Sequence, residues 1–213
     1  MNMQSSLLLA AALALVLPAF SQAAAKPAAP STVPVKAADT RAALRDLWIG
    51  HVFWVRNVVD ASFDGDTAAS RSAEQQVVAN AKAIAGSIEP FYGKPASDAL
   101  FGLLAGHWGA IKDRLEATKA GDKSREDASM KAMLKNADEI AAFLSGANPN
   151  LRRDTLYGLL TAHGGHHVQQ IDQFKAKQYD AEAKTWAAMT NHMYVIADAL
   201  ANGIAKQFPD KFR

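Results

Sequence analysis

The segment Leu44-Arg-Asp-Leu47-Trp48-Ile-Gly-His51 decides the fold because it returns twice, as Leu100-Phe-Gly-Leu103-Leu104-Ala-Gly-His107 and as Leu156-Tyr-Gly-Leu159-Leu160-Thr-Ala-His163. Successive copies are 56 residues apart. A second element keeps the same step: Asn80-Ala-Lys-Ala-Ile84-Ala85, Asn136-Ala-Asp-Glu-Ile140-Ala141 and His192-Met-Tyr-Val-Ile196-Ala197. Apolar residues recur three, four and seven apart, the spacing of one helix face, and no strand-like alternation interrupts them. Each unit therefore reads as an αα-hairpin. The pattern predicts an all-α fold of six helices, the odd ones near 39–62, 95–118 and 151–175 and the even ones near 68–88, 124–145 and 181–207.

Turn chemistry agrees with this division. Asp64-Gly65-Asp66 and Gly121-Asp122 supply turn and cap residues in the first two hairpins, whereas the third turn, near Gln178, has no glycine. Between hairpins, Glu89-Pro90-Phe-Tyr-Gly93 and Ser145-Gly-Ala-Asn148-Pro149 carry helix-stopping residues. One hairpin cannot bury its own apolar stripe, so the three must pack on one another. They can do so as a closed bundle of pseudo-threefold character, the arrangement we favour, or as a short open stack.

Before the repeats the composition changes. Leu7 to Phe20 is an apolar run broken by Pro18 and followed by Ala23-Ala24-Ala25, the pattern of a cleaved secretory signal peptide over residues 1–25. Residues 26–37, KPAAPSTVPVKA, read as an extended tether, and 38–213 as the repeat domain. The mature chain is then expected to be periplasmic or secreted, without a transmembrane segment.

The 213 residues are 49% hydrophobic and 8% aromatic, which excludes a disordered chain. Of the 23 Lys and Arg, only Lys26 and Lys36 precede Asp39, so the repeat domain carries 21 basic and 21 acidic residues. A formally neutral domain offers no footprint for nucleic acid or an anionic membrane. With no cysteine, disulfides, thiolate metal sites and catalytic thiols are excluded.

Histidine is the remaining chemistry. His51, His107 and His163 each follow leucine four and seven residues earlier, on the apolar stripe rather than the wet face. In an antiparallel hairpin, His51 is level with Asn80, His107 with Asn136, and His163 with His192. Buried polar groups need partners, so His51–Asn80 and His107–Asn136 are expected as hydrogen-bonded pairs. The third hairpin departs from this, with His192 in place of asparagine and His167 where the earlier units have Val55 and Ile111. His163 and His167 share a helix face, and His192 across the hairpin completes one possible three-imidazole site for zinc, copper, iron or nickel. A second geometry converges His51, His107 and His163 around a pseudo-threefold axis. His166 lies about 100° around the helix from His167, on the rim. Gly164-Gly165, inside a helical pattern, marks either a close approach or a weak point. Trp48, Trp54, Trp108 and Trp186 read as core residues.

These stretches, with Leu47-Trp48-x-x-His51-Val52-x-Trp54-x-Arg56, Asn136 to Pro149, and Ala197-Asp198-x-Leu200-x-x-Gly203-Ile204-x-x-Gln207-Phe208-Pro209-x-Lys211-Phe212, resemble an uncharacterised family of bacterial all-helical proteins. That resemblance implies a helical fold over Leu47 to Phe212 and no particular activity. His163-x-x-x-His167 with Gln169-Gln170 resembles one helix of the DinB-like bundles, a similarity that implies three histidines on a divalent metal. Two functions follow as expectations: a histidine-based transition-metal site, whose bound water would be the reactive group if the protein is catalytic, or a non-catalytic binding or scaffolding module with structural histidines.

Overall fold

A computed structural model describes residues 37–212, and the expected signal peptide and all of the tether but Ala37 lie outside them. Seven α-helices follow: α1 (Ala37–Asp64), α2 (Thr67–Ser87), α3 (Glu89–Tyr92), α4 (Lys94–Ala120), α5 (Lys123–Ala147), α6 (Arg153–Lys175) and α7 (Tyr179–Gln207), with a closing 3-10 turn at Pro209–Phe212. Among the described residues there is no strand. The six long helices correspond to the three expected hairpins, α1/α2, α4/α5 and α6/α7. The connection 89–93 differs from the sequence reading: Pro90 occupies the first turn of a helix, where its missing N–H costs nothing, so one turn of helix forms before Gly93, at φ 81, ends it.

The hairpin turns share a left-handed position. Gly65 has φ 78 and Gly121 φ 72, and the third turn puts Lys177 there at φ 55. The glycine missing from the third sequence unit is therefore replaced by a strained lysine rather than by a different turn. The caps follow the same step. Asp66 accepts from the N–H of Ala68 and Ala69, and Asp122 from that of Arg125, while Gln178 makes no side-chain cap.

Packing runs α1–α2–α4–α5–α6–α7, and α7 lies against α1. Arg45 of α1 donates to both carboxylate oxygens of Asp198 on α7, at 2.8 and 2.6 Å. Helix α6 also touches α1 and α4, and the first helices of the three hairpins, α1, α4 and α6, meet at their repeat histidines. Buried apolar side chains form two clusters. One gathers the residues preceding each repeat histidine, including Leu44, Trp48, Leu100, Leu104, Leu156 and Leu160. The other gathers those that follow, including Val55, Val59, Ile111, Leu115, Ile171 and Phe174. The histidines lie at the boundary between the two. No helix among the described residues is long and apolar enough to cross a membrane.

Candidate metal centre

His51 on α1, His107 on α4, and His163 and His167 on α6 meet at this boundary. Each offers one ring nitrogen, and the four nitrogens all lie within 4.8 Å of one another. The rings are 1–5% exposed. Their centroids are 5.8 Å apart for His51–His107, 5.5 Å for His51–His163 and 5.2 Å for His107–His163. His163 and His167 are closest, with Nε2 atoms 3.2 Å apart, so one of the two must donate and the other accept. The layer arises because identical leucine-to-histidine spacing on three packed helices puts three imidazoles at one height. His167, one turn further along α6, supplies the fourth where α1 and α4 bury Val55 and Ile111.

The structure thus joins parts of both expected geometries. His51, His107 and His163 come together between hairpins, His167 joins them from the third, and His192 stands outside. Its Nε2 donates to the carbonyl oxygen of Leu159 at 2.8 Å, and its ring faces His166, 5.6 Å away. The asparagines of the other hairpins behave alike: Asn80 Nδ2 donates to Leu47 O and Asn136 Nδ2 to Leu103 O, both at 3.0 Å. The expected His–Asn hydrogen bonds are therefore corrected for the amide N–H groups, which donate to backbone carbonyls, while Asn136 stays close enough to His107 to act on its ring. A helical carbonyl points along the axis to the level of the residue four ahead, so the side chain level with histidine meets the carbonyl oxygen of the residue four before it. Gly50 and Gly106 admit the amide, since a Cβ there would stand 2.9 and 3.2 Å from the asparagine Nδ2. The third hairpin has Ala162 at this step and the imidazole of His192 opposite it.

Freed from those pairings, the ring nitrogens lack partners. His51 Nε2, His107 Nδ1 and Nε2, and His163 Nδ1 are buried without a hydrogen bond among the described residues. Burial drives every ring toward the neutral form, with the like charges of neighbouring imidazoles adding to it for all but His107. His51 is pushed down to about 3 and His107 to about 4, the latter against an opposing influence from the Asn136 amide. His163 and His167 are held well below the ordinary histidine value for the same reasons. Neutral imidazole is the form that ligates metal. Four nitrogens on a tetrahedral zinc stand about 3.3 Å apart, so the four rings, with nitrogens up to 4.8 Å apart, would draw together to hold an ion.

Near the carboxyl end of α6 lies a polar network that the sequence reading missed. Arg56 donates to both oxygens of Glu182, at 2.6 and 2.5 Å, while lying over the rings of Phe174 and Trp186, and Gln170 Nε2 donates to Glu182 Oε1 at 2.9 Å. Glu182 is 1% exposed. It sits 56 residues after Glu126, another buried carboxylate, which pairs with Arg114 and Lys123. That repeat was a usable signal, but charged residues near helix starts read as surface.

Gly164 and Gly165 make no close helix contact, for a Cβ on either meets nothing within 4 Å. No family model, curated protein or solved structure matches the chain.

Proposed function

We propose that this protein is an exported helical bundle that holds one transition-metal ion on His51, His107, His163 and His167. The observation that carries the reading is the convergence of four buried, neutral imidazoles, each with a ring nitrogen within 4.8 Å of the other three. Without a ligand the arrangement is expensive. Each buried polar group left unpaired costs about 1–3 kcal/mol, and four such nitrogens occur in one layer. An ion bonds one nitrogen of each ring and so removes part of that cost.

The donor set narrows the choice of ion. All-imidazole coordination suits copper, zinc, nickel and iron, and lacks the oxygen ligands that calcium and magnesium require. No carboxylate belongs to the group. A low-charge ion such as copper(I) therefore incurs the smallest desolvation penalty. The resemblance of His163-x-x-x-His167 to the DinB-like bundles supports a histidine-held metal and points to a divalent ion such as zinc.

Metal content tests it. The mature chain, residues 26–213, purified without a histidine tag and loaded with copper or zinc, is expected to retain close to one ion after desalting. Substituting alanine for His51, His107, His163 or His167 should lower retention. The double variant Ala162→Gly/His192→Asn, which gives the third hairpin the arrangement of the other two, should leave it unchanged. A wild type that holds no metal refutes the proposal and favours the scaffolding alternative.

A further inference from the structure

The repeat provides its own control for what is unusual about α6. At the position after each repeat histidine, α1 has Val52 and α4 has Trp108, 0% and 8% exposed. In α6 that position is Gly164, followed by Gly165. The same helix supplies His167 where the others have Val55 and Ile111. The fourth imidazole and the loss of a core side chain thus occur within one turn of each other.

The missing side chain leaves space. A cavity of about 50 Å³ lies between α5 and α6, and His107 is part of its wall. Its inner residues, His107, Met133 and Gly164, are buried, while Met130 and Gly165 are half-buried and Leu134 is 40% exposed. One cavity thus joins the wall of the histidine layer, at His107, to the exposed Leu134 on the surface of α5. A water needs roughly 10–15 Å³ of such volume, so the cleft has room for a molecule of a few heavy atoms. Its wall is chiefly aliphatic and thioether, which penalises a charged solute.

We infer that the α5–α6 cleft is the route by which a small uncharged molecule, of the size and polarity of dioxygen or carbon monoxide, reaches an ion held on the four histidines. The inference rests on the metal reading above. His107 is the one of the four histidines that lines the cleft, at its buried end, and Gly164 leaves the space beside it open.

Carbon monoxide is the probe. The copper(I)-loaded mature protein should take up carbon monoxide, which takes the place of one imidazole, that of His107 on the cleft wall, and leaves three on the ion, and give a single C–O stretch in the infrared. Gly164→Val, which installs the residue of the first hairpin, should slow uptake at least tenfold with copper per chain unchanged, and Gly165→Leu at the mouth should slow it as well. Equal uptake rates in all three copper-loaded proteins overturn the route. Retained copper with no C–O stretch in wild type also overturns it, while leaving the metal reading standing. A wild type without copper removes both. Crystals of the metal-free protein under xenon give a reading independent of metal: xenon should occupy the cleft in wild type and be lost in Gly164→Val. A wild-type cleft empty of xenon refutes the passage.

Discussion

The metal-free protein should be acid-sensitive, and the buried histidines set the size of the effect. In the unfolded chain a histidine takes up a proton near pH 6.5. In the folded protein, burial lowers His51 to about 3 and His107 to about 4. These are bases with depressed values, so below pH 6.5 the unfolded state binds more protons and stability falls with pH. Each such group costs about 1.4 kcal/mol per pH unit, until the pH reaches its folded value. At pH 5, His51 and His107 together remove about 4 kcal/mol. His163 and His167, also held well below the ordinary value, act in the same direction. Total stabilities of about 5–15 kcal/mol are usual for a domain, so the apoprotein should stand close to unfolding at pH 5. Urea unfolding at pH 7.5, 6.0 and 5.0 in the presence of chelator, followed by circular dichroism, measures the slope. His51→Leu should lower that slope by about 1.4 kcal/mol per pH unit between pH 6.5 and 5. A loss smaller than about 2 kcal/mol between pH 7.5 and 5, or an unchanged slope in His51→Leu, would refute the claim that these rings are neutral and buried.

Other predictions address the scaffold that positions the site. Gly50→Ala places a Cβ 2.9 Å from Asn80 Nδ2 and should cost about 1–3 kcal/mol in urea unfolding, with much less effect in an Asn80→Ala background, where the clashing amide is gone. Lys177→Gly relieves the left-handed lysine in the third turn and should stabilise by about 1 kcal/mol, seen as a rise of about 2–4 °C in Tm. Arg56→Met strands the buried Glu182 carboxylate and should cost about 3–5 kcal/mol, whereas Arg56→Met/Glu182→Leu should recover most of the loss. A double variant as unstable as the single one would show that Arg56 acts through its packing on Phe174 and Trp186 instead.

Helix positions were legible in the sequence because an amphipathic repeat states each helix three times. The layer shared by His51, His107 and His163 was legible for the same reason: equal spacing on three packed helices gives equal height. Two features were harder to read. Hairpin level correctly paired Asn80 and Asn136 with their histidines, yet carbonyl geometry redirected their amides to Leu47 and Leu103. His192 was drawn off in the same way, to Leu159. Level along a hairpin does not fix which side of the partner helix a side chain meets. The left-handed Lys177 was hidden because its residue type advertises neither a turn nor a positive φ. Glu182 and Arg56 are charged residues that composition places outside, and only their mutual pairing, with Gln170, makes burial tolerable.

The most direct test of the central claim is X-ray absorption fine structure of the zinc-loaded protein. The account predicts four nitrogen neighbours at about 2.0 Å, with the outer-shell scattering of four imidazole rings, and three such rings in His167→Ile. A first shell dominated by oxygen, or a wild-type spectrum with two imidazoles or fewer, would contradict it.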